Sequence, residues 1–142
     1  KTNIEINVSC PNIDKQLINN KINKLINKER EWCIIKCGPL TTNNQLDEYY
    51  KAGFRQFHFC NTLPVKNGGL SGRSLIPYTK SLTNHIKNNY NDCVLINGGG
   101  IQNYNDIKNY NIADHHSVST VMFNPFKFGL LYANYVFKHL SS

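Results

Sequence analysis

The sequence predicts an α/β fold built on a parallel sheet with helical crossovers. Three observations carry that reading. Short apolar runs recur along the 142 residues, each is followed by a segment with apolar residues at helical spacing, and a polar residue or glycine closes most of the runs. A near-continuous apolar strand covered by helices is the signature of a parallel sheet. Either a doubly wound sheet or a piece of a (β/α)8 barrel satisfies the pattern. The polar residues decide for the barrel, because barrel strands deliver their carboxyl ends to one mouth, where active sites are built.

The elements follow in order. "NIEINV" (3–8) reads as a strand, and "KQLINNKINKLINKERE" (15–31) as a helix with Leu17, Ile18, Ile22, Leu25 and Ile26 on one face and Asp14 as its cap. "WCIIKC" (32–37) is the second strand, and "QLDEYYKAG" (45–53) a short helix closed by Gly53. "FRQFHFC" (54–60) is a strand, and the Gly- and Pro-rich 61–77 a loop. A helix over 78–89 precedes the strand "CVLIN" (93–97), and a glycine turn then opens a helix over 98–111. The strand "HSVSTV" (116–121) and a final helix over 126–140 complete about five βα units.

Composition narrows the function. The net charge of +7 is dispersed among Asn and Ile with no basic block, which argues against a nucleic-acid surface. Five cysteines form no CxxC pair and no metal-ligand spacing, so free thiols in a reducing, cytoplasmic setting are expected, with no metal. No apolar run is long enough to suggest a membrane span. The chain starts at Lys1 and enters a strand at once, so an N-terminal portion is expected upstream.

The strand ends carry the chemistry. Cys10 sits just past the first strand among polar neighbours, where a thiol tuned toward neutrality can accept a proton. Asn7, Asn12 and Asn61 offer amide donors and acceptors that suit the edges of a planar heterocycle. Lys36 interrupts an apolar run and can set a fixed cation beside a ligand that gains negative charge, such as a reduced flavin. Gly98–Gly100 close a strand and open a helix, which suits a phosphate, although a tight turn also requires glycine. "NGGLSG" (67–72) reads as a flexible loop or a backbone cradle, and the five histidines as structural or exposed.

"EINVSCPN", "IIKCGPL", "FCNTL", "GGLSG", "NGGGI" and "VST" resemble, in the same order, the C-terminal part of dihydroorotate dehydrogenases, over nearly the whole chain. The resemblance implies an FMN-dependent TIM-barrel oxidoreductase of pyrimidine biosynthesis that oxidises dihydroorotate to orotate. The present strands would be the fourth to eighth of its barrel. By motif position Cys10 is the base, as in the soluble class. Asn7, Asn12, Asn61 and Thr62 match pyrimidine-binding positions. Asn7, Lys36, Ser71, Gly72, Gly99, Gly100, Ser119 and Thr120 match positions around FMN and its phosphate. For the soluble class the electron acceptor is fumarate, or a second flavin and iron–sulfur subunit leading to NAD.

The sequence also departs from that family. A barrel of this type takes about 250 residues, and the first three strands are absent. Asn97 stands where the family usually has a glycine. Residues 1–142 therefore read as the C-terminal portion of an FMN-binding domain. Its expected partners are dihydroorotate or orotate, and either the missing N-terminal half or a second copy to cover the open sheet edges. The alternative is a truncated, non-catalytic relict or FMN-binding fragment. Two other flavin barrels are further alternatives: dihydrouridine synthase, which also places a cysteine before a proline after a similar strand, and dihydropyrimidine dehydrogenase, which shares the "CNT" and "GGLSG" features more closely.

Overall fold

The computed structural model describes residues 2–9, 22–27, 29–108 and 110–140. Seven strands are present among them: β1 (Ile4–Asn7), β2 (Cys33–Cys37), β3 (Gln56–Phe59), β4 (Leu63–Val65), β5 (Gly68–Leu70), β6 (Val94–Gly98) and β7 (His115–Ser117). Four α-helices accompany them: α1 (Asn43–Ala52), α2 (Ile76–Asn89), α3 (Tyr104–Lys108) and α4 (Pro125–Leu140). Asp14 and most of the helix expected over 15–31 lie outside the described residues, whose only helical part there is a 3-10 turn, Ile22–Leu25.

The main sheet has five strands in the order β1-β2-β3-β6-β7, and every pairing is parallel. The order follows the chain without reversal, as successive units of a barrel do, whereas a complete doubly wound sheet reverses its strand order. The expected loop over 61–77 instead contains the antiparallel hairpin β4–β5 and a 3-10 turn, Arg73–Leu75. Gly68 at φ 141° opens β5 in a conformation that side chains avoid.

Local chemistry explains the helices. Thr42 and Gln45 form a reciprocal capping box at the start of α1, and Gly53 closes it at φ 112° with its N–H on the carbonyls of Tyr49 and Tyr50. Pro77 in the first turn of α2 needs no N–H partner there, and Thr79, Leu82, Thr83 and Ile86 make its buried stripe. Ile35, Cys37, Phe57, Phe59 and Leu95 alternate along the strands and pack with Leu46, Tyr49, Leu82 and Ile86 in one core. A second core gathers Ile101, Tyr110, Val121 and Leu131 under α3 and α4.

The opposite face of the sheet is concave and carries Glu5, Lys36 and His58 among the apolar side chains of Ile34, Val94 and Ile96. The rings of Trp32, just before β2, and His115, on β7, are 5.5 Å apart. Two strands separate them in the sheet, and three strand spacings of about 4.8 Å would hold them some 14 Å apart were it flat. The sheet therefore curls toward the face that bears Lys36 and His58.

Candidate functional site at the strand ends

The curled face carries a chain of charged and polar contacts contributed by four strands. Lys36 Nζ on β2 lies 3.3 Å from Glu5 Oε1 on β1. Glu5 Oε2 lies 2.7 Å from His58 Nδ1 on β3, and His58 Nε2 lies 2.7 Å from Ser117 Oγ on β7. Burial pushes the Glu5 carboxyl up, but the hydrogen bond and charge of His58, together with Lys36, outweigh it and hold the group below its ordinary value. Gly98 makes the last contact possible, because a Cβ there would collide with Ser117 Oγ.

Above this layer the loops after β1, β2 and β3 meet. Ser9 Oγ donates to Asn7 Oδ1 at 2.8 Å, and Asn61 Nδ2 donates to Ser9 Oγ at 2.6 Å. Asn61 Oδ1 in turn accepts from Thr62 N at 2.8 Å. Gly38 lets the loops close, because a Cβ on it would lie 2.7 Å from Ser9 Cβ. Asn61 is the one non-glycine among the described residues with a positive φ, 153°, the type of local strain that gathers at functional sites. Thr62 is exposed and packs on the hairpin, since a Cβ on Gly69 would lie 2.5 Å from Thr62 Oγ1.

The glycine segments form a second cluster. Gly99 and Gly100 both take φ 83° and Gly72 takes φ 94°. The two turns touch: a Cβ on Gly100 would meet the Gly72 carbonyl oxygen at 2.8 Å and Arg73 Cα at 3.0 Å. Tyr110, fully buried, donates its hydroxyl to the Gly99 carbonyl at 2.8 Å and lies 2.8 Å from Thr79 Oγ1. Arg73 pairs with buried Asp106 at 3.0 Å and lines a cleft of about 400 Å³ with Gln102, Lys127 and Asn134. Ser71 is exposed in the loop before Gly72. Ser119 and Thr120, expected at the end of a strand, instead follow β7, which stops at Ser117, and Thr120 begins a 3-10 turn, Thr120–Phe123; both are exposed.

The structure thus brings Asn7 and Asn61 together through Ser9, and Gly72 against Gly100. Cys10 and Asn12 lie outside the described residues. Of the histidines, which the sequence gives as structural or exposed, His58 is structural: it is buried and engaged through both ring nitrogens, which links Glu5 to Ser117. Its signal was a histidine at an alternate position of an apolar strand, on the face opposite Phe57 and Phe59. Asn97, the departure in the glycine motif, faces the helices, where its Nδ2 donates to Thr83 Oγ1 at 2.7 Å. Cys37 and Cys93 are buried thiols, and burial is the main cause that pushes Cys93 up to about 11. Among the described residues no group of three His, Cys, Asp or Glu is placed to hold a metal ion, and no helix is long and apolar enough to cross a membrane.

No family model matches the chain, and no curated protein matches it. Solved structures do. A dihydroorotate dehydrogenase (DHODH) from Eimeria tenella, crystallised in complex with ferulenol, superposes with a TM-score of 0.63 at 19% identity. The fold is DHODH-like. The match covers 85% of this chain and 45% of the Eimeria chain, so this chain spans less than half the length of that one.

Proposed function

We propose that the chain is the C-terminal portion of an FMN-dependent dehydrogenase that oxidises dihydroorotate to orotate, its five parallel strands being the fourth to eighth of a (β/α)8 barrel. The observation that carries this reading is the gathering of Asn7, Ser9 and Asn61 beside Lys36 at the strand ends of a DHODH-like fold. The residues fit the flavin. Three positive-φ glycines let two turns pack in backbone contact, too close for a Cβ on Gly100. Cationic Arg73 and Lys127 line the cleft beside those turns.

When bound, FMN supplies hydride acceptance from the substrate. The chain's own residues do the rest. The amides of Asn7, Asn12 and Asn61, with Thr62, would orient the pyrimidine edges. Cys10, by motif position, would take the C5 proton. Lys36 would present its ammonium where negative charge develops on the ligand. Gly72, Gly99 and Gly100, with Ser71, Ser119 and Thr120, would hold the phosphate end. The open edges of β1 and β7 would pair with three further strand–helix units. The test is dihydroorotate-dependent dye reduction by the chain joined to its upstream sequence, with FMN supplied. Activity lost in a Lys36→Met variant is expected, and no activity in the parent protein would refute the reading.

A second reading, a non-catalytic relict, draws on α4. Phe126, Leu130 and Phe137 on that helix are 86%, 66% and 70% exposed, a face that a complete barrel would cover. Flavin fluorescence that stays unquenched on addition of the joined protein would favour it.

A further inference from the structure

We propose that Glu5 is a positioning residue that neutralises and holds Lys36, with His58 and Ser117 as its clamp, so that these three residues set how much of the Lys36 charge reaches a ligand at the strand ends. The inference rests on the flavin reading above and gives a role to Glu5, the first residue of "EINVSCPN", and to His58 and Ser117, which lie outside the family-like motifs.

Lys36 and Glu5 stand on neighbouring strands two positions out of register, since Lys36 pairs with Asn7 and Glu5 with Ile34. A free Lys36 would turn its ammonium to water. Instead its side chain is only 25% exposed and lies 3.3 Å from Glu5 Oε1. Glu5 is fixed from the other side, because His58 Nδ1 occupies Oε2 at 2.7 Å and Ser117 Oγ occupies Nε2 at 2.7 Å. The clamp is itself anchored. His58 is buried, and Gly98 leaves the space in which the Ser117 hydroxyl sits. Because the Glu5 carboxylate only accepts, His58 Nδ1 donates to it while Nε2 faces the Ser117 hydroxyl, and this fixes the orientation of Glu5.

The charged groups that meet in this layer are Glu5, Lys36 and His58. Their sum is zero when His58 is neutral. A lysine paired in this way favours an anionic ligand less than a bare ammonium would. The pairing therefore restrains the preference of the site for reduced over oxidised flavin. The low-lying titration of Glu5 agrees, because the carboxylate stays charged beside Lys36 at neutral pH.

The experiment measures dissociation constants for oxidised and reduced FMN on the joined protein. Glu5→Gln is expected to shift their ratio toward reduced FMN by about tenfold, ~30 mV for a two-electron couple. His58→Leu, which frees Glu5, shifts the ratio the same way by about threefold. In a Lys36→Met background the Glu5→Gln shift is smaller, because only the through-space charge of Glu5 remains and its hold on Lys36 is gone, whereas a merely structural role for Glu5 would persist there undiminished. A shift below about twofold, or an equal shift without Lys36, overturns the proposal. A ligand-free readout separates the two readings. The Glu5 carboxyl carbon, followed by NMR, titrates below the ordinary value in the parent protein and rises in Lys36→Met. If FMN fails to bind while Glu5 behaves so, the flavin reading falls and the clamp stands. If Glu5 titrates at its ordinary value, the clamp falls.

Discussion

Gly100→Ala tests whether the two glycine turns are built against each other. Gly100 takes φ 83°, and placing an L side chain there costs about 1–2 kcal/mol. The added Cβ would also meet the Gly72 carbonyl oxygen at 2.8 Å, Ile76 Cγ1 at 2.8 Å and Arg73 Cα at 3.0 Å. Two of those three atoms are backbone, so relief requires the Gly72–Arg73 segment to move away by several tenths of an ångström. Overpacking of this kind costs about 1–3 kcal/mol. Together the terms give about 2–5 kcal/mol, a large share of the roughly 5–15 kcal/mol that holds a typical domain. In urea, with a slope near 2 kcal/mol/M, the midpoint falls by about 1–2.5 M. Gly129→Ala is the control. It lies inside α4, where an added methyl would meet nothing within 4 Å, so the substitution gains about 0.5–1 kcal/mol from helix propensity. A Gly100→Ala midpoint within about 0.3 M of the parent, roughly the error of such a fit, would refute the account of the turns.

Three further outcomes are expected. Tyr110→Phe removes the hydroxyl shared by Gly99 and Thr79, and denaturation should register a loss of about 1–3 kcal/mol. His116 is half-buried, and burial, opposed by the Tyr110 carbonyl and aided by His115, lowers its folded titration below the ordinary 6.5. A lowered histidine contributes stability above its unfolded value and loses it as pH falls, so thermal melts should be level above about pH 7 and decline below about 6.5. Glu5 and Asp47, both held low, add a steeper loss below about 4.5, and His116→Gln should abolish only the first decline. The exposed α4 face predicts concentration-dependent sedimentation above the 16.3 kDa monomer, reversed by Phe126→Glu with Leu130→Glu; a monomer at every concentration would refute it.

The alternation of strands and helices was legible because parallel strands are apolar throughout and their helices amphipathic. Leu82 and Ile86 or Phe57 and Phe59 announce their faces without outside help. The hairpin was not, because Leu63–Val65 and Gly68–Leu70 are three residues each, too short for a period to register. Ser117 ends β7 where the sequence reading carried the strand on through Ser119–Thr120, since β propensity does not show where pairing stops. The sequence placed Asn7, Lys36 and Asn61 at the strand ends. The contacts that join them to Ser9, Glu5 and His58 arise only when the sheet curls, and curvature leaves no mark in a linear pattern.

Tyr110 ties the glycine turn to the first turn of α2. Its hydroxyl touches the Gly99 carbonyl and the Thr79 hydroxyl at once, and Thr79 Oγ1 reaches back to the Leu75 carbonyl at 3.2 Å. A displaced Gly99 must therefore re-pair Tyr110 and release the first turn of α2. Whatever settles on the glycines is felt by the amides of that turn, and deuterium uptake there would report occupancy from outside the pocket.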